Sequence, residues 1–328
     1  MKISPQWMLW AISLVLLGSC RDDDDTEPQV NADLTFESIL TFEGTALNQA
    51  TGFLASPEQN ALYIAHRETN PNTGSSSERV IRYDLATGGA NSSFFDVEDF
   101  ITKRLHIIGD SLYVIGGSFI NIYPLDLATR PLNVVHGLQI TRFGSAVYQG
   151  DIYVWGGDID EVNSDKIYVW DTATGLFEPI GQLPTSKTWA MGEIISGKLY
   201  IFGGRREFSD DIAENVVFIH DLNTNQTISS ELPNPVARTF TSVHRSTIFL
   251  AGQTLDTNPS SEDLDIYFGV YNPVVQRFNR LETSLDDEGW NSINGMTIMN
   301  SKIYVLYGNA NSFFDNAPMT IMVADIPS

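Results

Sequence analysis

Along most of the chain, short runs of β-branched, aromatic and aliphatic residues alternate with polar ones, the period-two pattern of half-buried strands. The clearest run is "LYIFGG" at 199–204, with companions "IYVWGG" at 152–157 and "LYVIGG" at 112–117. Three further runs keep the strand and lose one or both glycines: "LYIAH" at 62–66, "IFLAG" at 248–252 and "IYVLYG" at 303–308. No window sustains apolar spacing at 3.6 residues, so no helix is predicted.

A second landmark fixes the phase of this pattern. Asp84-x-x-Thr87, Asp126-x-x-Thr129, Asp171-x-x-Thr174 and Asp221-x-x-Thr224 each follow a strand, and weaker versions stand at Asn272 and Asp325, giving spacings of 42, 45, 50, 51 and 53 residues. Asx residues followed by Thr or Gly favour tight turns, so each landmark predicts a hairpin. One unit reads as strand a ("RFGSAVY", from Arg142), strand b ("DIYVWGG"), a variable loop, strand c ("KIYVWD") and strand d ("GLFEPIG"). Four antiparallel strands per unit, repeated six times, predict a β-propeller. The last unit supplies a ("GMTIMN"), b and c ("TIMVAD") but no d. The segment "LTFESIL" at 34–40 is similar to the d strand "LFEPIG" and is expected to complete the sixth blade and close the ring, which would otherwise expose strand edges.

The hydrophobic run, the glycine pair and the aromatic-Asp turn together resemble the kelch family over roughly residues 34–328. The pair is intact in three of six units, and Phe177 stands where the family often carries Trp. The resemblance implies an all-β, six-bladed kelch-like propeller with four antiparallel strands per blade. Glycine without a Cβ suits the crowded end of strand b, and Trp155 and Trp170 are expected to pack between blades.

Composition narrows the function. With 42% hydrophobic and 18% charged residues over 328 positions, the chain is long enough for a sizeable core. Its net charge of −22 opposes a nucleic-acid partner, whose phosphates demand clustered Lys and Arg. Residues 1–19 read as a signal peptide: Lys2 precedes a short apolar run, and Leu17-Gly18-Ser19-Cys20 resembles the lipobox of bacterial lipoproteins. That resemblance makes Cys20 the acylated residue and the membrane a partner through its lipid. Residues 20–33 then form an acidic tether, and Asp22 to Asp25 are similar to the surface-export signals of Bacteroidota lipoproteins, implying an outer-membrane protein, exposed at the cell surface or else facing the periplasm. Cys20 is the sole cysteine, so no disulfide or Cys nucleophile is expected.

In the predicted topology, the starts of strands a and the b-to-c loops share one face. That face collects Lys103, Arg104, Arg142, Trp189, Arg238 and Trp290, with Arg205 and Arg206 from a loop. In kelch proteins with a known ligand site, Arg residues beginning strand a line the mouth of the central channel, and Arg142 and Arg238 match that position. The expected ligand is a glycan or protein presenting an acidic group, since Arg grips carboxylates with paired hydrogen bonds. Two alternatives stand beside this recognition role. One is a carbohydrate-active enzyme of the mutarotase kind, on a distant resemblance to N-acetylneuraminate epimerase, with Arg205, Arg206 and Glu207 as acid, base and clamp. The other is a structural subunit of an outer-membrane complex. Galactose oxidase-type copper chemistry needs a Cys cross-linked to Tyr, which this chain lacks. The five histidines show no ligand spacing, and the acidic loop 158–165 lacks the Gly and terminal Glu of an EF-hand, so no metal or cofactor is predicted.

Overall fold

The computed structural model describes residues 34–42, 52–69, 76–95, 102–160, 162–206, 212–255, 264–285, 291–309 and 318–327. Cys20 and Trp290 lie outside the described residues, as do Glu207 and the signal and tether segments. Among the described residues there is no helix.

The chain enters with β1 (Glu37–Phe42). Then β2 (Gly52–Ser56), β3 (Ala61–Thr69), β4 (Ser76–Asp84) and β5 (Ala90–Phe95) form sheet 1, and β6 (Arg104–Ile108), β7 (Ser111–Ile115), β8 (Phe119–Pro124) and β9 (Leu132–Val135) form sheet 2. A small sheet of β10 (Ile140–Thr141), β13 (Asp158–Ile159) and β14 (Val162–Asn163) sits beside sheet 3, which is built from β11 (Gly144–Tyr148), β12 (Asp151–Trp155), β15 (Lys166–Asp171) and β16 (Leu176–Gln182). The next seven strands are one hydrogen-bonded sheet: β17 (Gly192–Ile195), β18 (Lys198–Phe202), β19 (Glu214–Asp221), β20 (Gln226–His244), β21 (Thr247–Leu255), β22 (Leu264–Asn272) and β23 (Arg277–Arg280). Last come β24 (Asn291–Met299), β25 (Lys302–Asn309) and β26 (Met319–Asp325), and the first strand of the chain, β1, pairs antiparallel with β26.

Three features differ from the sequence reading. The seven-stranded sheet arises because the 19-residue β20 serves two units: it pairs with β19 up to Val236 and with β21 from Ala237. Pro233 and Pro235, both exposed, lie inside that strand. The loop at 158–165 is partly ordered as the hairpin β13–β14, folded back on β10. The N-terminal strand runs over 37–42 rather than 34–40, while Leu34 makes a parallel bridge to Thr283.

The hairpin turns are built as the Asp-x-x-Thr spacing demands. Asp84 Oδ1 accepts bonds from the Ala86 and Thr87 amides at 3.0 and 2.9 Å, and Asp221 Oδ1 from the Asn223 and Thr224 amides at 2.9 and 3.1 Å. Asp126, Asp171 and Asn272 repeat the bond to the amide two residues on. These donors hold the Asp84, Asp171 and Asp221 carboxyls below the usual range.

The glycine pairs close strand b against the neighbouring unit. Gly156 and Gly157 have φ of +61° and +75°, Gly203 and Gly204 +55° and +78°. The Gly157 amide donates to the Lys187 carbonyl at 2.7 Å and Gly204 to that of Val236 at 2.8 Å. Strand b is five residues long in the units that have the pair (β7, β12, β18), but eight or nine in those that lack it (β3, β21, β25). Without the glycine pair, the ladder with strand c continues, as in Arg67↔Glu78 and Leu255↔Leu264.

The core lies between sheets rather than at one centre. Leu112 and Tyr123 of sheet 2 pack on Tyr63 and Val80 of sheet 1, and Ile115 and Ile120 pack on Phe143 and Val154 of sheet 3. Trp155, wholly buried, joins Leu199 and Phe218, and its Nε1 donates to the Ala190 carbonyl at 2.9 Å. Trp170 meets Tyr113 edge-on at 5.8 Å between ring centroids. Both tryptophans therefore fill space between sheets. Phe202 packs with Tyr271, Leu250 with Val217, Phe36 with Phe249 and Phe268, and Leu306 and Ile321 with Leu62 and Ile64.

Candidate functional site

Ahead of β11 and β17, and midway along β20, three non-glycine residues at one repeat position hold positive φ: Arg142 (+56°), Trp189 (+57°) and Arg238 (+47°). Such backbone is uncommon outside glycine and persists only where the surroundings enforce it. Here the enforcement is a chain of bonds between successive units. The Arg142 amide donates to Thr102 Oγ1 at 2.7 Å, the Trp189 amide to the Arg142 carbonyl at 2.9 Å, and the Thr239 amide to the Trp189 carbonyl at 3.2 Å.

These segments bring together part of the expected site. The Arg238 guanidinium lies over the Trp189 ring, 5.8 Å from its centroid. Burial, with the charge of Arg205 nearby, lowers the Arg238 pKa to about 10. Arg205 is itself buried and is fixed by a two-way backbone bridge to Thr188, at 2.8 and 2.9 Å. No hydrogen bond or ion pair from the described residues satisfies the Arg238 side chain, and the buried Thr188 hydroxyl is likewise unmatched among them.

The remaining candidates go elsewhere. Arg142 joins the cluster by its backbone, but its Nη1 is held by Asp158 Oδ2 at 2.6 Å. Lys103 is buried against Glu78 at 2.7 Å. Arg104 donates through Nε and Nη2 to the Phe143 carbonyl at 3.0 and 2.9 Å and through Nη1 to its neighbour Lys103. Arg206, largely exposed, pairs with Glu214 at 2.5 Å, and the same carboxylate holds the buried Lys187, whose ammonium lies over the Phe218 ring.

Sequence reasoning missed a second concave region. A cavity of about 200 Å³ is bordered by β2, β6, β11, the β17 segment, β20 and β24. It contains His106, whose Nε2 is 2.7 Å from Ser145 Oγ, and Glu193, hydrogen-bonded to Thr241. Burial raises the Glu193 carboxyl to about 7, and burial with the Arg104 charge pushes His106 down to about 3. An isolated Glu or His on a strand carries no spacing signal, so nothing in the sequence marked either. Among the described residues, no group of three or more His, Cys, Asp or Glu converges to hold a metal ion.

The comparisons with known proteins bear on the repeats. The kelch motif matches residues 140–184, the span from β10 to just past β16. Kelch domain-containing protein 1 of Homo sapiens is 37% identical over 89 residues, covering 24% of this chain and 21% of that protein. The chain thus spans about a fifth of the length of this relative. Sheet 3 therefore carries a kelch motif, and the all-β architecture of the described residues around it is consistent with a β-propeller.

Proposed function

We propose that residues 34–328 form a six-bladed propeller, closed by β1 as the outer strand of the last blade, that serves as a recognition module for an acidic ligand at the channel mouth. Support for the ring comes from the packing sequence: β2 lies against β6 and β24, β11 against β6 and β17, and β20 against β17 and β24. Support for the ligand comes from one observation above all, the desolvated Arg238 cation on the Trp189 face without a carboxylate from the described residues. A buried cation left unmatched is costly, so an incoming carboxylate is favoured, while the indole offers a flat apolar face to a sugar or side chain. The ligand class is an acidic glycan or a protein carboxylate.

A panel of acidic and neutral glycans and acidic peptides, titrated against the parent and Arg238→Ala, tests this reading. Charge-assisted bonds are worth about 1.5–3 kcal/mol, so the variant loses about one to two decades of affinity for acidic ligands. Binding unchanged in the variant, or confined to neutral ligands, overturns the proposal.

The module is, in this proposal, carried on the outer membrane by lipid on Cys20. Cys20→Ser is expected to yield protein that incorporates no radiolabelled fatty acid and is released from the membrane fraction; label retained by the variant contradicts the anchor.

A further inference from the structure

Among the described residues, four titratable side chains border the six-strand cavity, and two of them are already accounted for. Lys103 is neutralised by Glu78. His106 is held neutral by burial and by the charge of Arg104, with its Nε2 on Ser145. Arg104 and Glu193 remain. Three of the five Arg104 N–H groups reach only main-chain carbonyls, so its charge meets no carboxylate among the described residues, and two donors are left over. Glu193 has the Thr241 hydroxyl as its partner, and no cation lowers its pKa, which burial alone holds at about 7. One enclosure therefore contains an unmatched cation on β6 and an unmatched acid on β17, each costly in a medium that screens poorly. The rest of the lining combines hydroxyls, from Ser145, Thr241, Ser242 and Thr297, with apolar side chains that include Phe53, Phe240, Met191 and Met296. At about 200 Å³ the space is smaller than the ~300–1,000 Å³ typical of drug-sized ligands, which rules out an oligosaccharide.

We propose that this cavity binds a small zwitterion of the apolar α-amino acid class, its carboxylate on Arg104, its ammonium on Glu193 and its side chain among the Phe and Met walls. Such a molecule matches both charges at once. An amine would leave Arg104 unmatched, and a simple acid would leave Glu193 to its proton. The inference rests on the cavity alone and is independent of the Arg238 cluster.

Leucine is the probe, with 3-methylbutylamine and 4-methylpentanoate as analogues that each keep one charge. Titration calorimetry at pH 7, repeated in buffers of different ionisation enthalpy, reads affinity and proton release together. Leucine is expected to bind at least about tenfold more tightly than either analogue and to release protons on binding. The release follows because burial raises the Glu193 carboxyl, so that part of it is protonated at that pH, and the incoming ammonium drives it to the ionised form. Glu193→Gln keeps the shape and removes a buried acid, so its melting temperature should hold or rise while leucine affinity drops about tenfold or more and proton release vanishes. Absence of leucine binding, either analogue binding as tightly as leucine, or undiminished binding by a folded Glu193→Gln variant overturns the proposal.

Discussion

Removal of residues 34–42 is expected to leave the protein unfolded or close to it at room temperature. Leu34 and Phe36 are almost wholly buried, among Phe249, Phe268, Leu281 and Leu285, so the segment wedges between the seven-stranded sheet and β24–β26. The backbone is bound in step: the Leu34 amide donates to the Glu282 carbonyl at 2.8 Å, the Ser284 amide to the Leu34 carbonyl at 2.9 Å, and the Phe36 amide to Ser284 Oγ at 2.8 Å. β1 then pairs with β26 from Glu37↔Val323 to Phe42↔Met319. Truncating one buried Leu or Phe to Ala costs about 2–5 kcal/mol, against total stabilities of about 5–15 kcal/mol. Losing both, with a strand pairing and a newly bared sheet edge, consumes most of that margin. Phe36→Ala alone should cost about 3–5 kcal/mol, whereas Glu37→Ala, at the exposed first position of β1, should stay within about 0.5 kcal/mol. Thermal and urea melts decide it. A trimmed protein that melts within about two degrees of the parent refutes the structural role of this strand.

Gly156→Ala is expected to destabilise by about 3 kcal/mol or more, and Gly109→Ala by only about 1 kcal/mol, although both glycines have nearly the same backbone angle. At Gly109, with φ of +57°, an added Cβ meets nothing within 4 Å, so only the left-handed conformation is charged against the alanine. At Gly156, with φ of +61°, the Cβ would lie 2.2 Å from the Lys187 carbonyl oxygen, which belongs to the neighbouring unit and is itself fixed by the Gly157 amide. That oxygen cannot retreat without breaking the bond. The difference between the two variants in denaturant melts measures the close approach separately from the turn. Equal losses at the two sites would show that the glycine pair serves turning alone.

What the sequence disclosed, and what it concealed, follows from the range over which each interaction acts. Strand alternation, the Asp-x-x-Thr turns and the glycine pairs are local, and the structure contains them near the positions read from the chain. The continuity of β20 was hidden because Pro233 and Pro235 argue against a strand; both sit exposed at the point where β20 exchanges its partner, so their missing donors cost little. The repeat phase located Arg238 and Trp189, because the same position recurs in each unit. It could not tell that Arg142 is taken by Asp158, which needs the fold-back of β13 on β10, nor that Lys103 is taken by Glu78 of sheet 1. Glu193 was invisible for the opposite reason: a single acid in "GEII" reads as a solvated strand position until the fold encloses it.

The unequal length of the b strands gives any ligand at this face a sense of direction. The strands that run past the glycine position, β3, β21 and β25, exceed β7, β12 and β18 by three or four residues, or about 10–13 Å at ~3.3 Å per residue. In the proposed ring they belong to the fifth, sixth and first units, which adjoin one another, so the raised hairpins would stand along one arc and the low ones along the other. Arg238 precedes the tall β21, whereas Arg205 directly follows the short β18, which puts the cation cluster at the step between the two arcs. A chain lying across that step meets a wall on one flank and an open lip on the other. On the proposed ring its two ends would therefore not be interchangeable, and a polymer's leading end would meet different surroundings from its trailing one before any individual side chain is read.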